Sequence, residues 1–368
     1  MRNDPAMDAA DLLRYAVERG ASDLHLTAGN VPFIRVDGEL LPAAFPVLDG
    51  GQTQAIAQSL MPLHKRDEFT RTNDADFAYS LEGVGRFRVN VLRQRGAVSL
   101  AIRQVASEGQ TFSELQLPPV VQTLCESKRG LVLVTGPTGA GKTTTIAAMI
   151  GFINRTRRAH IVTIEDPIEV VHSDDLSVIW QREVGSDTQS YAAALKQVLR
   201  QDPDVIFVGE IRDADSAMSA IQAAQTGHLV LSTMHTTDAT ETVRRFVELF
   251  PNREQDGVRA ALAGALRGIV SQRLLERLDG RGRVPAVEIL INNGRVTDRI
   301  VDPETGDLQD VIAEGRYDGM QTFDQALIEM IQTGIVAEDD ARAAASNPHD
   351  LSLALSGSQW VAPVPQGA

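Results

Sequence analysis

The sequence predicts a mixed α/β chain of two domains: a small α/β domain over residues 1–105, a linker over 106–119, and a phosphate-loop α/β domain over 120–350. Three observations predict it. The chain has 368 residues, enough for two separate cores. From residue 131 onward, short apolar runs alternate with segments of helical period, the pattern of a parallel sheet with crossover helices. The stretch Gly136-Pro137-Thr138-Gly139-Ala140-Gly141-Lys142-Thr143 joins one such run to one such helix, which is the context a phosphate-binding loop requires.

In the first domain, Leu12, Leu13, Ala16 and Val17 mark one helical face, and Gly20 suits the stop. Phe87, Val89 and Val91 share one face of a strand, with Arg86, Arg88 and Asn90 on the other. Val98 to Arg103 repeats the alternation, with Val98, Leu100 and Ile102 inward and Ser99 and Arg103 outward. Arg95-Gly96 lies between the two runs as a hairpin turn. The polar, Gly- and Pro-containing stretch from Ala106 to Pro119 reads as the linker.

In the second domain, Leu131–Thr135, Ile161–Ile164, Val205–Val208 and Leu229–Thr233 read as strands, and Thr143 to Ile153 as the helix behind the phosphate loop. Val258, Ala261, Leu262, Ala265, Leu266 and Ile269 keep helical period. So do Phe323, Ala326, Leu327, Met330 and Ile331, ending at Gly334. Residues 351–368 carry no charge and read as a frayed tail.

Composition narrows the function classes. Hydrophobic residues make up 43% and charged residues 23%, which is the range of a globular protein. The single cysteine, Cys125, excludes an internal disulfide and a cysteine zinc cluster. The first ten residues contain no apolar run, so no signal peptide is expected. No stretch of eighteen apolar residues occurs, so no membrane span is expected and the cytoplasm is the default location. A formal net charge of −14 argues against a general nucleic-acid binder, which needs a basic surface to displace counterions.

The candidate chemistry begins at the phosphate loop. Gly136, Gly139 and Gly141 let backbone N–H groups turn inward, with Pro137, Thr138 and Ala140 between them. Lys142 is expected on the β- and γ-phosphates of ATP and the Thr143 hydroxyl on Mg²⁺, with Thr144 following in the same turn. The helix N-terminus adds its dipole. Two strands end in carboxylates, Ile161–Ile164 in Glu165-Asp166 and Val205–Val208 in Gly209-Glu210. Ligands of open α/β sheets lie at such strand ends, so Glu210 and Glu165 are candidates for orienting water or holding metal. His228 and His235 flank the run Leu229–Thr233. Their seven-residue spacing fits no metal-binding helix; they are either hydrogen-bonded structural histidines or nucleotide-site residues that sense the γ-phosphate. Arg88 and Arg103 face the same way across the first-domain hairpin. They are either part of a solvated sheet face or arginines supplied to a phosphoryl transition state.

These segments together resemble the type IV pilus retraction ATPases, the PilT group of the secretion ATPase superfamily. The resemblance runs from about Ala9 to Leu353. Ala21-Ser22-Asp23-Leu24-His25-Leu26 is similar to the family's opening segment, and Gly136 to Thr143 is its phosphate loop. Thr163 to Glu169 resembles the acidic box, and Val208 to Asp213 the Walker B segment, with Glu210 as catalytic glutamate. Thr226-Gly227-His228 through His235-Thr236-Thr237 resembles the histidine box, and Gly319 to Asp324 the retraction members' C-terminal signature.

The resemblance implies a PAS-like first domain, a RecA-like second domain and a homohexameric ring. ATP would lie between the domains, approached by Arg88 and Arg103. It also implies a motor that docks on an integral pilus platform protein at the inner face of the cytoplasmic membrane. One segment departs from the family. Where retraction members carry an Ala-Ile-Arg-type motif after the Glu-Ile pair, this chain has Asn292 to Arg299, then the insertion-like Pro303 to Asp307. The alternatives are a pilus-assembly or secretion ATPase, a catalytically idle ring subunit, and a RecA-like nucleic-acid translocase.

Overall fold

The structure, a computed structural model, describes residues 8–106 and 109–357, the side chain of Thr305 excepted. Its contacts divide the chain into two compact units, Met1–Glu108 with Pro167–Val171, and Gly109–Asp166 with His172–Ala368. Among the described residues, no helix is long and apolar enough to cross a membrane.

The first unit runs α1 (Ala9–Glu18), β1 (Asp23–Thr27), β2 (Phe33–Val36), β3 (Glu39–Pro42), α2 (Gly50–Leu60), α3 (Leu63–Thr72), β4 (Asp74–Leu81), β5 (Gly85–Gln94) and β6 (Ala97–Gln104). The strands form one sheet in the order β3-β2-β1-β6-β5-β4. Asp8 caps α1 by accepting from Ala10 N, and Gly20, at φ +67°, follows its end. The β5–β6 turn places Arg95 and Gly96 at φ +50° and +81°, as the hairpin reading requires. Leu24, Leu26, Val89, Val91 and Leu100 share a buried core with Leu12 and Leu13 of α1. Ser99 was expected to face outward, but it is buried. It lies between Thr27 of β1 and Leu92 of β5 in the middle of the sheet, whereas Arg103 on the same face of β6 is exposed as expected.

The second unit runs α4 (Val120–Glu126), β7 (Gly130–Thr135), α5 (Lys142–Thr156), β8 (His160–Glu165), β9 (Val178–Glu183), α6 (Tyr191–Val198), β10 (Val205–Val208), α7 (Ala214–Gln225), β11 (Leu229–Met234), α8 (Ala239–Glu248), α9 (Gln255–Ala265), β12 (Leu266–Glu276) and β13 (Arg283–Ile291). It ends with α10 (Gly294–Val301), α11 (Leu308–Glu314), α12 (Phe323–Gln332), α13 (Glu338–Ala344) and α14 (Pro348–Gly357). Its seven strands are ordered β13-β12-β7-β11-β10-β8-β9. They are parallel from β12 to β9, and β13 is antiparallel to β12. β7, β10 and β11 are buried throughout, as parallel strands covered on both faces must be.

Three expectations are corrected here. Helical period through Ile269 does not extend the helix. α9 stops at Ala265, and Leu266 and Ile269 lie in β12, paired with β7, because burial between two strands overrides a short periodic signal. The stretch 106–119 is not a free linker along its length, since Phe112 and Leu117 are buried in the core of the second unit. The expected frayed tail is helical to Gly357, with Leu351 buried against Phe323 and Leu327. The remainder of that tail, 358–368, lies outside the described residues.

The family-like signature Gly319 to Asp324 forms a packed turn. Gly319 has φ +83°, and a Cβ there would lie 2.8 Å from Val120 Cγ2. Thr322 then opens α12 with a reciprocal capping box to Gln325. Within the divergent stretch that begins at Asn292, Gly294–Val301 forms α10, capped by Asn293, with Val296 and Ile300 buried.

Candidate functional site

Strand register assembles the site. β7 and β11 pair in parallel with Met234 beside Thr135, so the next residues, His235 and Gly136, leave the sheet as neighbours. β10 pairs β11 with Val208 beside Ser232, and β8 with Val208 beside Ile164. Glu165, Glu210 and His235 therefore emerge at the same carboxyl edge as the phosphate loop, where open α/β sheets hold their ligands.

The loop from Gly136 to Gly141 needs its glycines. Gly136, Gly139 and Gly141 have φ of +146°, +81° and +85°. At Gly136 a Cβ would lie 2.5 Å from the carbonyl oxygen of Gln272 and 2.9 Å from the Ala140 side chain. Ala140 is buried, and its carbonyl accepts from Gln272 Nε2 at 3.0 Å. Lys142, 8% exposed, opens α5. Its ammonium donates to Gly136 O at 2.8 Å and Pro137 O at 3.0 Å. Thr143 and Thr144 follow, each half-buried in the first turn.

His235 stands between the two charged groups of the site. Its Nδ1 is 3.4 Å from Lys142 Nζ and its Nε2 is 3.4 Å from Glu210 Oε2. The other oxygen of Glu210 pairs with Arg212. Glu210 is only 12% exposed while Arg212 is 66% exposed, so the carboxylate is held inside and its cation covers it from the solvent side. The bond to Glu210, together with the charge of that carboxylate, holds the Arg212 guanidinium above its usual pKa range, against partial burial. Glu165 is held differently. Its Oε1 accepts from Thr163 Oγ1 at 2.6 Å and from Gln181 Nε2 at 3.1 Å.

The structure separates the two histidines. His228 precedes β11, at the end of the strand opposite His235. Its ring Nδ1 lies 3.0 Å from Ala223 O, and its carbonyl accepts from Gly130 N at the start of β7. A six-residue strand, roughly 20 Å, lies between it and the phosphate loop. Of the two readings left open by sequence, His228 fits the hydrogen-bonded structural one, and it is not part of the phosphate cluster of its own chain.

Arg88 and Arg103 are directly opposite each other on β5 and β6. Arg103 Nε donates to Asp23 Oδ1 at 2.8 Å, and Asp23 in turn pairs in register with Arg35. The four residues form one charged row across the first unit's sheet. Burial of Asp23 opposes its ionisation, and the bonds from Arg103 and Ser22 outweigh that, holding its carboxyl below the usual range.

Several residues of the site were not singled out from sequence. Gln272 is buried, with its Oε1 lacking a hydrogen-bond partner among the described residues. It also lines a cavity of about 740 Å³ beside Gly141 and Thr144, walled by Gln116, Leu274 and Arg277. Tyr191 packs its hydroxyl 2.7 Å from where a Cβ on Gly209 would stand. Burial, then the charges of Asp166 and Glu210, keep its phenol protonated far above the usual range. A buried hydroxyl chain joins the end of β7, the middle of β12 and the first turn of α8: Thr135 donates to Ser271 at 2.8 Å, Thr242 donates to Thr135 at 3.4 Å, and Thr236 and Thr242 lie 2.6 Å apart. Gln272 and the Thr135–Ser271 pair carry no local signal, because their partners are more than a hundred residues away.

The type II/IV secretion system protein family matches residues 7–345. The type IV pilus retraction ATPase PilT of Pseudomonas aeruginosa is 41% identical over 345 residues, 94% of this chain and 100% of that protein. A twitching motility protein of Neisseria gonorrhoeae is 43% identical over 348 residues, 95% of this chain and 93% of its own. The crystal structure of the pilus retraction motor PilT with bound ADP superposes with a TM-score of 0.86 at 44% identity, covering 94% of this chain and 99% of that one. With the family matched over residues 7–345 and relatives 41% and 43% identical along nearly the whole chain, the protein belongs to the type II/IV secretion system protein family.

Proposed function

We propose that this chain is a motor ATPase that hydrolyses ATP to retract type IV pili. The observation that carries the proposal is the contact line from Lys142 through His235 to Glu210, at the carboxyl edge of a sheet whose PilT relative was solved with ADP. Lys142 would leave the carbonyls of Gly136 and Pro137 for the β- and γ-phosphates. Glu210, fixed by Arg212 and His235, would polarise the attacking water. Gly136 to Thr144 would wrap the phosphates. The cavity beside Gly141, lined by Gln272 and Thr144, would take the nucleoside. Thr143, with Glu210 or Glu165 near, would hold Mg²⁺, which supplies charge neutralisation at the phosphates.

The exposed Arg88 and Arg103 would reach the nucleotide when the first unit closes on it, so that hydrolysis changes the orientation of the units. Following the family resemblance, the working form is a homohexamer on the cytoplasmic face of the inner membrane, docked on an integral platform protein. It uses no nucleic acid, in keeping with the net charge of −14. The departure at Asn292 to Arg299, which folds as α10, favours a second reading in which the same ATPase drives pilus assembly. Deleting the gene in its native host separates the two. Retraction predicts hyperpiliated cells that no longer twitch, and a bald mutant would overturn retraction in favour of assembly.

A further inference from the structure

The fully buried carboxylate of Glu288 has no part in the site described above. Glu288 lies in the middle of β13, opposite Ser271 of β12, and among the described residues it forms no ion pair. Its two oxygens are divided between two helices. Oε1 accepts from Ala239 N, the first residue of α8, at 2.8 Å. Oε2 accepts from Gln309 Nε2 of α11 at 3.0 Å. Burial pushes its carboxyl above the usual range, against the pull of those two bonds. A carboxylate in such a place costs more than an apolar residue of its size, and the positive end of α8 offsets part of that cost.

What the anchor holds is the loop 235–238. Asp238 caps α8 by accepting from Glu241 N at 2.7 Å, and Glu241 accepts from Thr237 N at 2.7 Å. Thr236 is tied to Thr242. The loop is therefore rigidly continuous with the first turn of α8, and that turn is pinned to β13 by Glu288. At its other end the loop presents His235, 3.4 Å from both Lys142 and Glu210. Shifts well under an ångström at Ala239 would reach contacts of that length.

We propose that Glu288 is a positioning residue for ATP hydrolysis: it fixes the His235 loop through the first turn of α8, and through Gln309 it makes the place of α11 part of that fix. The proposal rests on the ATPase reading. α11 follows directly on the segment that departs from the retraction family, so changes there have a route of two hydrogen bonds to the first turn of α8 and the His235 loop.

The test is steady-state ATP turnover and ADP binding by the full-length protein, well below its melting temperature. Glu288→Ala leaves Ala239 N and Gln309 without their acceptor. It should lower kcat by about tenfold or more while KM and the ADP Kd stay within about threefold, the signature of lost transition-state positioning. Glu288→Gln can still accept from Ala239 and, with the Gln309 amide turned over, bond to it; it should recover most of the activity. Gln309→Ala keeps the carboxylate on α8 and should lower kcat by roughly threefold, with no further loss when combined with Glu288→Ala. A folded Glu288→Ala variant with wild-type kcat overturns the proposal. So does a loss shared by kcat and ADP affinity, or a Glu288→Gln variant no better than alanine. If Glu288→Ala does not fold, Gln309→Ala decides, and unchanged turnover there overturns it. Absence of turnover in the unmodified protein would instead strike the ATPase reading, and this proposal with it.

Discussion

Gly136→Ala probes whether the phosphate loop is held against β12 as the structure has it. The substitution introduces two penalties. First, φ of +146° is a conformation that residues with a Cβ rarely adopt, costing about 1–3 kcal/mol. Second, the new methyl would lie 2.5 Å from the Gln272 carbonyl oxygen. That oxygen belongs to the backbone of β12, which is paired with β13 at Val287, so it cannot swing aside. Relief must come from the loop, at an overpacking cost of about 1–3 kcal/mol. With partial relief a net loss of ~3 kcal/mol is expected, or roughly 6–12 °C in melting temperature for a domain of this size. Because Gly136 O accepts from Lys142, the displaced loop should also weaken ADP binding by about tenfold or more, ~1.4 kcal/mol. Gly139→Ala is the control. Its φ is +81°, but nothing lies within 4 Å of an added Cβ, so it carries the conformational penalty alone. Differential scanning fluorimetry and ADP calorimetry on both variants test the reasoning. Gly136→Ala melting no lower than Gly139→Ala, with ADP affinity unchanged, would refute it.

Four further outcomes are expected. Lys142→Ala should abolish hydrolysis by removing the charge that meets the phosphates; near-normal turnover of the purified variant would sink the site assignment. Glu210→Gln should bind ATP and fail to turn it over, leaving trapped nucleotide after gel filtration; normal hydrolysis would make Glu165 the better candidate for the base. Arg103→Ala should lower turnover by about tenfold, ~1.4 kcal/mol of barrier; the Arg103 side chain is itself 71% exposed, so the fold should be retained by circular dichroism, and full activity would remove it from the mechanism. Burial, with Arg155 beside it, lowers the His172 pKa to about 4. The unfolded chain thus binds the proton more readily, and the stability from a neutral His172 is complete above about pH 6.5 and lost as pH falls toward 4, by up to ~1.4 kcal/mol per pH unit. Urea midpoints against pH should therefore fall less steeply over that window in His172→Asn, and parallel curves would show that the histidine is not buried as neutral imidazole.

The phosphate loop was legible in the sequence because all its parts are contiguous. Glycines, lysine and threonine follow one strand and open one helix, and local backbone physics sets their shape wherever the segment folds. The strand-end positions of Glu165 and Glu210 were legible for the same reason, since the β-branched and apolar runs Ile161–Ile164 and Val205–Val208 announce the strands that precede them. Periodicity failed at Leu266 and Ile269, where six apolar positions of helical spacing span the end of α9 and the start of β12. Only pairing with β7 decides that boundary, and the pairing partner is more than a hundred residues away.

The two histidines mark the same limit. His228 and His235 bracket one strand and look equivalent in sequence. The tertiary structure distinguishes them because parallel strands have a direction: the register of β11 on β7 carries His235 to the edge where Gly136 turns out and leaves His228 at the other. Gln272 and Glu288 could not have been found from their neighbours in the chain. Gln272 bonds to Ala140 and Glu288 bonds to Ala239 and Gln309. The sequence alone determined that nucleotide phosphate is the ligand, since that depends on a local loop. Which residues surround that loop was decided only when non-local strand pairing fixed the register.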